Sequence, residues 1–187
     1  MAQEYMMYSF SNPHIATATI ADIPAIKDLL NNTYRGEASK KGWTTEADLI
    51  AGDTRTDENT LQEVMERTNN VFFKYTDGQE KIIIGCVNLQ QHGNKLYLGM
   101  FSVAAQLQGG GIGKQLLKAA EEYAQHVECS AIYMHVVSVR TELIDWYKRH
   151  GYIDTGERKA FNEDGLSGKH LQVLEFMVME KKLDTGY

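Results

Sequence analysis

Gln108-Gly109-Gly110-Gly111-Ile112-Gly113-Lys114 is the stretch from which the rest of this chain can be read. It follows the apolar run Leu96 to Val103 and opens an amphipathic segment, Lys114 to Gln125, so it reads as a turn from a strand into a helix. Such a turn gathers unbonded backbone N–H groups at the positive end of a helix dipole, which suits a diphosphate. Glycine at 109, 110, 111 and 113 exceeds what a tight turn needs, because one residue at positive φ suffices.

Spacing separates the known kinds of glycine loop. A Walker A loop needs Gly where Gln108 stands and Ser or Thr where Gln115 stands. A dinucleotide fingerprint starting at Gly109 or Gly111 would place Lys114 or Leu116 where its third glycine belongs. The pattern that fits is Q-x-x-G-x-G, carried by Gln108, Gly111 and Gly113. This resembles the acetyl-CoA pyrophosphate loop, Q/R-x-x-G-x-G/A, of the GNAT N-acetyltransferase superfamily. The flanks extend the resemblance. Leu98 to Val103 looks like the family's fourth strand, and Leu143-Ile144-Asp145-Trp146-Tyr147-Lys148-Arg149-His150-Gly151-Tyr152 is similar to its helix with a Tyr ahead of a Gly-aromatic pair.

Composition sets the outer bounds. A chain of 187 residues with 43% apolar content can bury a substantial core, and one domain over 1–187 is expected. The net charge is -6 with Lys and Arg scattered, which argues against nucleic acid as a partner. Cys86 and Cys129 have neither zinc nor disulfide-framework spacing and read as buried reduced thiols. No leader pattern and no apolar run of about 18 residues occurs, so a soluble, cytoplasmic protein without membrane contact is expected. No metal site is expected, and a homodimer is left open.

The remaining elements follow from periodicity. A strand is expected at His14 to Ile20, then a helix with Asp22 as N-cap, Pro24 in its first turn, and Ile23, Ile26, Leu30 and Tyr34 on one face. Arg35 to Asp57 is polar and irregular apart from a short helix at Thr45 to Ala51, and a helix bearing Leu61, Val64 and Met65 comes next. Val71 to Tyr75, Lys81 to Leu89 and Lys95 to Val103, with turns at Asp77-Gly78 and Gly93-Asn94, read as an antiparallel meander. Ala131 to Val137 should return parallel to Lys95 to Val103 after a helix. A helix at Arg140 to His150 and strands at Tyr152 to Arg158 and Leu171 to Lys181 close the chain. The expected class is α/β (α+β): a mixed, mostly antiparallel sheet with helices on both faces. The resemblance adds that the parallel fourth and fifth strands splay and admit the pantetheine arm.

The resemblance also implies roles. Gln108 to Lys114 would hold the pyrophosphate of acetyl-CoA, with Phe101, Ser102 and Val103 beside the pantetheine arm and a backbone N–H near Phe101 facing the oxyanion. Tyr147 matches the acid that protonates the CoA thiolate. Arg140 stands where relatives carry a cofactor-contacting Asn. Two departures matter: Ala105 replaces a common proline, and Tyr97 and Gly99 occupy places where relatives carry a Glu or His base. His135, His92, Glu46 and Asp48 are the remaining candidates for a base. Trp43 and Glu46 lie in the segment that builds the acceptor pocket, and an aromatic beside carboxylates suits a cationic amine. The expected activity is acetyl transfer, or transfer of a longer acyl group, to the amine of a small molecule or peptide in a ternary complex. The alternative is a non-catalytic acyl-CoA sensor.

Overall fold

The computed structural model describes residues 8–184. Nine strands and five helices succeed one another: β1 (Ile15–Thr17), α1 (Ile23–Tyr34), α2 (Gly36–Ser39), β2 (Ile50–Ala51), α3 (Glu58–Met65), β3 (Asn70–Thr76), β4 (Ile83–His92), β5 (Lys95–Val103), α4 (Ile112–His126), β6 (Ala131–Val137), α5 (Thr141–Arg149), β7 (Ile153–Phe161), β8 (Lys169–His170) and β9 (Leu174–Lys182). Seven strands form one sheet in the order β1-β3-β4-β5-β6-β9-β7, and β2 pairs with β8 in a separate ribbon. Every pairing in the large sheet is antiparallel except β5 with β6. The α4 crossover requires that exception, since a helix between adjacent strands returns the chain in the same direction.

Helices bury apolar stripes on both faces of the sheet. On one face α4 places Leu116, Leu117, Ala120 and Ala124 against Val87, Leu89, Leu96, Leu98 and Ile132. On the other, Ile23, Ile26 and Leu30 of α1 join Leu61 and Val64 of α3 over Phe72 and Cys86. Fully buried side chains of this size each stabilise the fold by ~1.5–3 kcal/mol relative to exposure, so the sheet is a firm platform for whatever its edges carry. Cys86 and Cys129 are buried and unpaired, and burial pushes the Cys86 thiol up to about 12.

Several elements differ from the sequence reading, among them the short helix α2 inside the segment expected to be irregular and closing strands at Ile153–Phe161 and Leu174–Lys182. The first strand is shorter, Ile15–Thr17. Asp22 occupies the N-cap position of α1, but its carboxylate instead accepts from the Thr19 N–H at 2.8 Å and from Lys74. The helix expected at Thr45 to Ala51 is a single turn, with the N–H groups of Leu49 and Ile50 on the Glu46 carbonyl, and it ends in β2. Ile50 and Ala51 pair instead with His170 and Lys169. Gly168 lets that ribbon form: its φ is +103°, and a Cβ there would stand 2.3 Å from the Ala51 carbonyl oxygen.

Candidate active site

β5 and β6 are paired only from Lys95↔Ala131 to Tyr97↔Tyr133, yet they continue to Val103 and Val137. Beyond Tyr97 they diverge and open a wedge. On its other edge β5 is irregular: the register with β4 slips between Cys86 and Asn88, and Met100 takes a φ of +44°. Such a bulge re-aims the backbone at a sheet rim. The Tyr34 hydroxyl fixes it by donating to the Phe101 carbonyl.

The glycine loop closes the open end of the wedge. Gly109 and Gly111 have φ of +87° and +89°, which glycine adopts without a Cβ penalty, and Gly111 is the N-cap of α4. The first intrahelical bond runs from the Gln115 N–H to the Gly111 carbonyl, so the N–H groups from Gly111 to Lys114 precede the helical ladder. At Gly113 an added Cβ would sit 3.5 Å from both Phe101 and Trp146, so a larger residue would fill the space beside them. Backbone donors, positive helix terminus and glycine-kept space all fit the diphosphate and pantetheine of CoA.

A cleft of about 590 Å³ runs from this loop along α5. It is bordered by Phe101, Ser102 and Val103, by Gln108, Gly109 and Gly111 to Lys114, and by Leu143, Trp146 and Tyr147. Tyr147 is 5% exposed, and burial, reinforced by Tyr34 and Tyr152, holds its phenol well above the ordinary tyrosine value. The hydroxyl therefore keeps its proton at neutral pH. Trp43 and Thr44 contribute the opposing rim, with the Trp43 and Trp146 rings 6.4 Å apart. Trp43 thus stands in the same cleft as the glycine loop, and Trp146, which the sequence did not single out, faces it.

The Gln108 side chain is engaged elsewhere than the loop interior. Its Oε1 accepts from the N–H groups of Trp43 and Thr44 at 2.9 and 3.3 Å, and its Nε2 donates to Thr44 Oγ1 and to the Val103 carbonyl. A Cβ on Gly42 would lie 2.5 Å from that Oε1, which accounts for glycine there. Gln108 is a clasp between the end of β5 and the 42–44 loop.

Glu46 is also committed. It is 6% exposed, and its two oxygens accept from Arg35 and Arg140. Arg140 further donates to the Thr44 carbonyl, and Arg35 to the carbonyls of Ser167 and Tyr34. Burial alone would raise the Glu46 carboxyl, but Arg140, Arg55 and Arg35 together hold it below the ordinary value. Glu46 is therefore a neutralised structural anion, which corrects its expected place as an open carboxylate facing a cationic amine. Arg140 is joined to this pair. Of the other base candidates, Asp48 is exposed, and His92 shares a 2.6 Å hydrogen bond with the Tyr133 hydroxyl. His135 packs edge-on or tilted among Tyr97, Tyr133 and Phe176, with Nε2 buried and unpartnered among the described residues, and burial lowers its pKa.

The fold and this cleft define a class. The acetyltransferase (GNAT) family model matches residues 24–152, and the chain belongs to that family. Its fold is shared with the ribosomal-protein-S18-alanine N-acetyltransferase of Escherichia coli, at 12% identity and TM-score 0.67 over 92% of this chain and 95% of that one. It is similar to a spermidine N-acetyltransferase chimera from Vibrio cholerae and hSSAT, at 17% identity and TM-score 0.64 over 90% and 93%. A protein of Streptococcus mutans UA159 aligns over 91% and 99% with TM-score 0.67 and 17% identity. No curated protein sequence matches the chain significantly. Among the described residues no helix is long and apolar enough to cross a membrane.

Proposed function

We propose that the protein is an acetyl-CoA-dependent N-acetyltransferase that acetylates the amine of a small molecule or peptide by direct attack in a ternary complex. The observation that carries this reading is that the glycine loop, the bulged end of β5 and Tyr147 border one cleft. Acetyl-CoA supplies an acetyl group already activated as a thioester; what remains is work for the chain.

The N–H groups of Gly111 to Lys114 bind the diphosphate at the start of α4. Gly109 and Gly110 give the loop its path, and Phe101, Ser102 and Val103 border the arm that enters the wedge. The acceptor amine, with an ordinary pKa near 10.4 if lysine-like, must lose a proton before it attacks. The Phe101 N–H, in the bulge beyond the last β5–β6 pair, donates to the oxygen on which negative charge develops. The C–N bond forms, the C–S bond breaks, and the Tyr147 phenol passes its proton to the departing sulfur. The raised pKa keeps the phenol protonated at neutral pH. The thiolate is the weaker base of the two, thiols titrating at about 8.5 and phenols at about 10, so the transfer is completed as the phenolate recovers the proton that the attacking amine gives up.

The test is thiol release from acetyl-CoA across a panel of amines, together with calorimetry of acetyl-CoA alone. Turnover with a physiological amine is expected. Tight acetyl-CoA binding without turnover on any amine would instead favour the sensor reading, and no binding would defeat both.

A further inference from the structure

Three arginines face a single carboxylate on the α1 side of the sheet. Arg35 and Arg140 take the two oxygens of Glu46, and Arg55 acts on the same carboxylate from farther away. Arg35 and Arg140 also hold loop carbonyls, so both are structural ties. Arg55 differs. Its backbone N–H is fixed by Asn31 Oδ1 at 2.7 Å, and its guanidinium lies over the Tyr34 ring, 4.6 Å from the centroid. Among the described residues it forms no ion pair, while Arg140 stands 5.9 Å from the same centroid.

The Tyr34 ring beneath that guanidinium borders the reacting region. Tyr34 lines the cleft, and its hydroxyl holds the Phe101 carbonyl at the bulge. Arg55 also acts on Tyr97, the last β5 residue paired with β6, and on Cys86 beneath the bulge. Arg55 is only half-buried and its guanidinium donors are not taken by any acceptor among the described residues, so they are free for a ligand, and a planar guanidinium matches a carboxylate in a two-point grip. The chain's net charge of -6 repels anions at long range, so the recognition is local.

We propose that the acceptor carries a carboxylate, as an amino acid does, and that Arg55 binds it while the amine faces the bulge at Phe101. This rests on the acetyltransferase reading. It also reverses the charge expected of the acceptor from Trp43 and Glu46, because Glu46 is already neutralised and Arg55 is not.

The test uses N-acetyl amino acids, the products of such a reaction, and their primary amides, titrated by calorimetry into CoA-saturated protein. Free amino acids and amino-acid amides are compared as acceptors in the thiol-release assay. At least one acid should bind about tenfold or more tightly than its amide, as a charge-assisted pair provides. Arg55→Gln should bring the two within about twofold, and Arg55→Lys should keep part of the preference. Unchanged acetyl-CoA affinity in the variants shows that the fold and the donor half are intact. If Arg55→Gln does not fold, the wild-type comparison of acid with amide decides. Equal binding of acid and amide, no binding of any acid at millimolar concentration, or a preference that survives Arg55→Gln overturns the proposal. Failure of the wild-type protein to bind acetyl-CoA is a separate result, and it defeats the acetyltransferase reading itself.

Discussion

The glycine loop offers backbone drawn from seven consecutive residues, whereas the facing side of the cleft is a mesh drawn from several separate segments. In the loop, Gly109 and Gly111 at positive φ and the start of α4 suffice to orient the donors. Across the cleft, Gln108 holds Trp43 and Thr44, Arg140 holds Glu46, Arg35 holds Ser167, and β2 pairs with β8. The first kind of site is a local property of sequence. The second exists only after the chain has closed, and its charges can be counted only then.

Substitutions on each side should therefore fail differently. The largest effect is expected at Tyr147, where Tyr147→Phe keeps the ring and removes the transferable proton. Turnover should fall by ~10²–10⁴-fold, as for loss of a general acid, while acetyl-CoA affinity and melting temperature stay close to wild type. Wild-type turnover in that variant would return Tyr147 to a packing role.

Glu46→Gln should act on stability. It leaves Arg35 and Arg140 facing a neutral amide, and breaking a buried pair in this way costs ~3–5 kcal/mol, read by chemical denaturation. The effect has a pH window. Because the folded carboxyl lies below its ordinary value of 4.5, its stabilisation is complete above that pH and is lost as pH falls through the lower folded value. Wild type and Glu46→Gln should converge in acid, and a gap that stays constant from neutral pH down through that window would contradict the ion-pair account.

On the loop side, Gly111→Asp puts bulk, charge and an unfavourable φ against the diphosphate site. Acetyl-CoA binding should weaken by roughly 10²-fold, ~3 kcal/mol, in a protein whose circular dichroism is unchanged. Unaltered affinity would remove the loop from the donor site. The smallest effect is expected for Gln108→Ala, which releases the 42–44 loop from β5. A loss of ~1–2 kcal/mol in stability is expected, with a smaller change in acetyl-CoA affinity than Gly111→Asp causes; the reverse order would make Gln108 a direct ligand.

The difference between the two sides also explains what could be read beforehand. β5 and β6 have the spans expected of them, and their parallel pairing follows from the intervening helix alone. The strands and helices that flank the glycine loop carry alternating or helical apolar patterns, and those patterns are local. Ile50 and Ala51 carry no such signal, because their partners Lys169 and His170 lie far away in sequence, between β7 and β9. A helical turn at Thr45 is what the local sequence favours, and tertiary pairing cut it short. Glu46 read as an acceptor ligand because a carboxylate near a tryptophan is visible in sequence, whereas arginines at 35, 55 and 140 converging on it are not. Arg35 and Arg55 are two of the cations of a polar segment that also holds Lys40 and Lys41, but nothing in their spacing indicates which of them lacks an anion.

The chain has two tryptophans, and both border the cleft, one on the 42–44 loop and the other on α5. Their rings lie 6.4 Å apart. Indole emission from this protein is therefore a signal from the site itself, with no tryptophan elsewhere to dilute it. A ligand that enters between them should alter intensity or wavelength without any label, and Trp43→Phe and Trp146→Phe each leave a reporter on one side only. Comparing those two variants during a titration would show which side a ligand meets, an optical reading of order of binding that needs no knowledge of the acceptor.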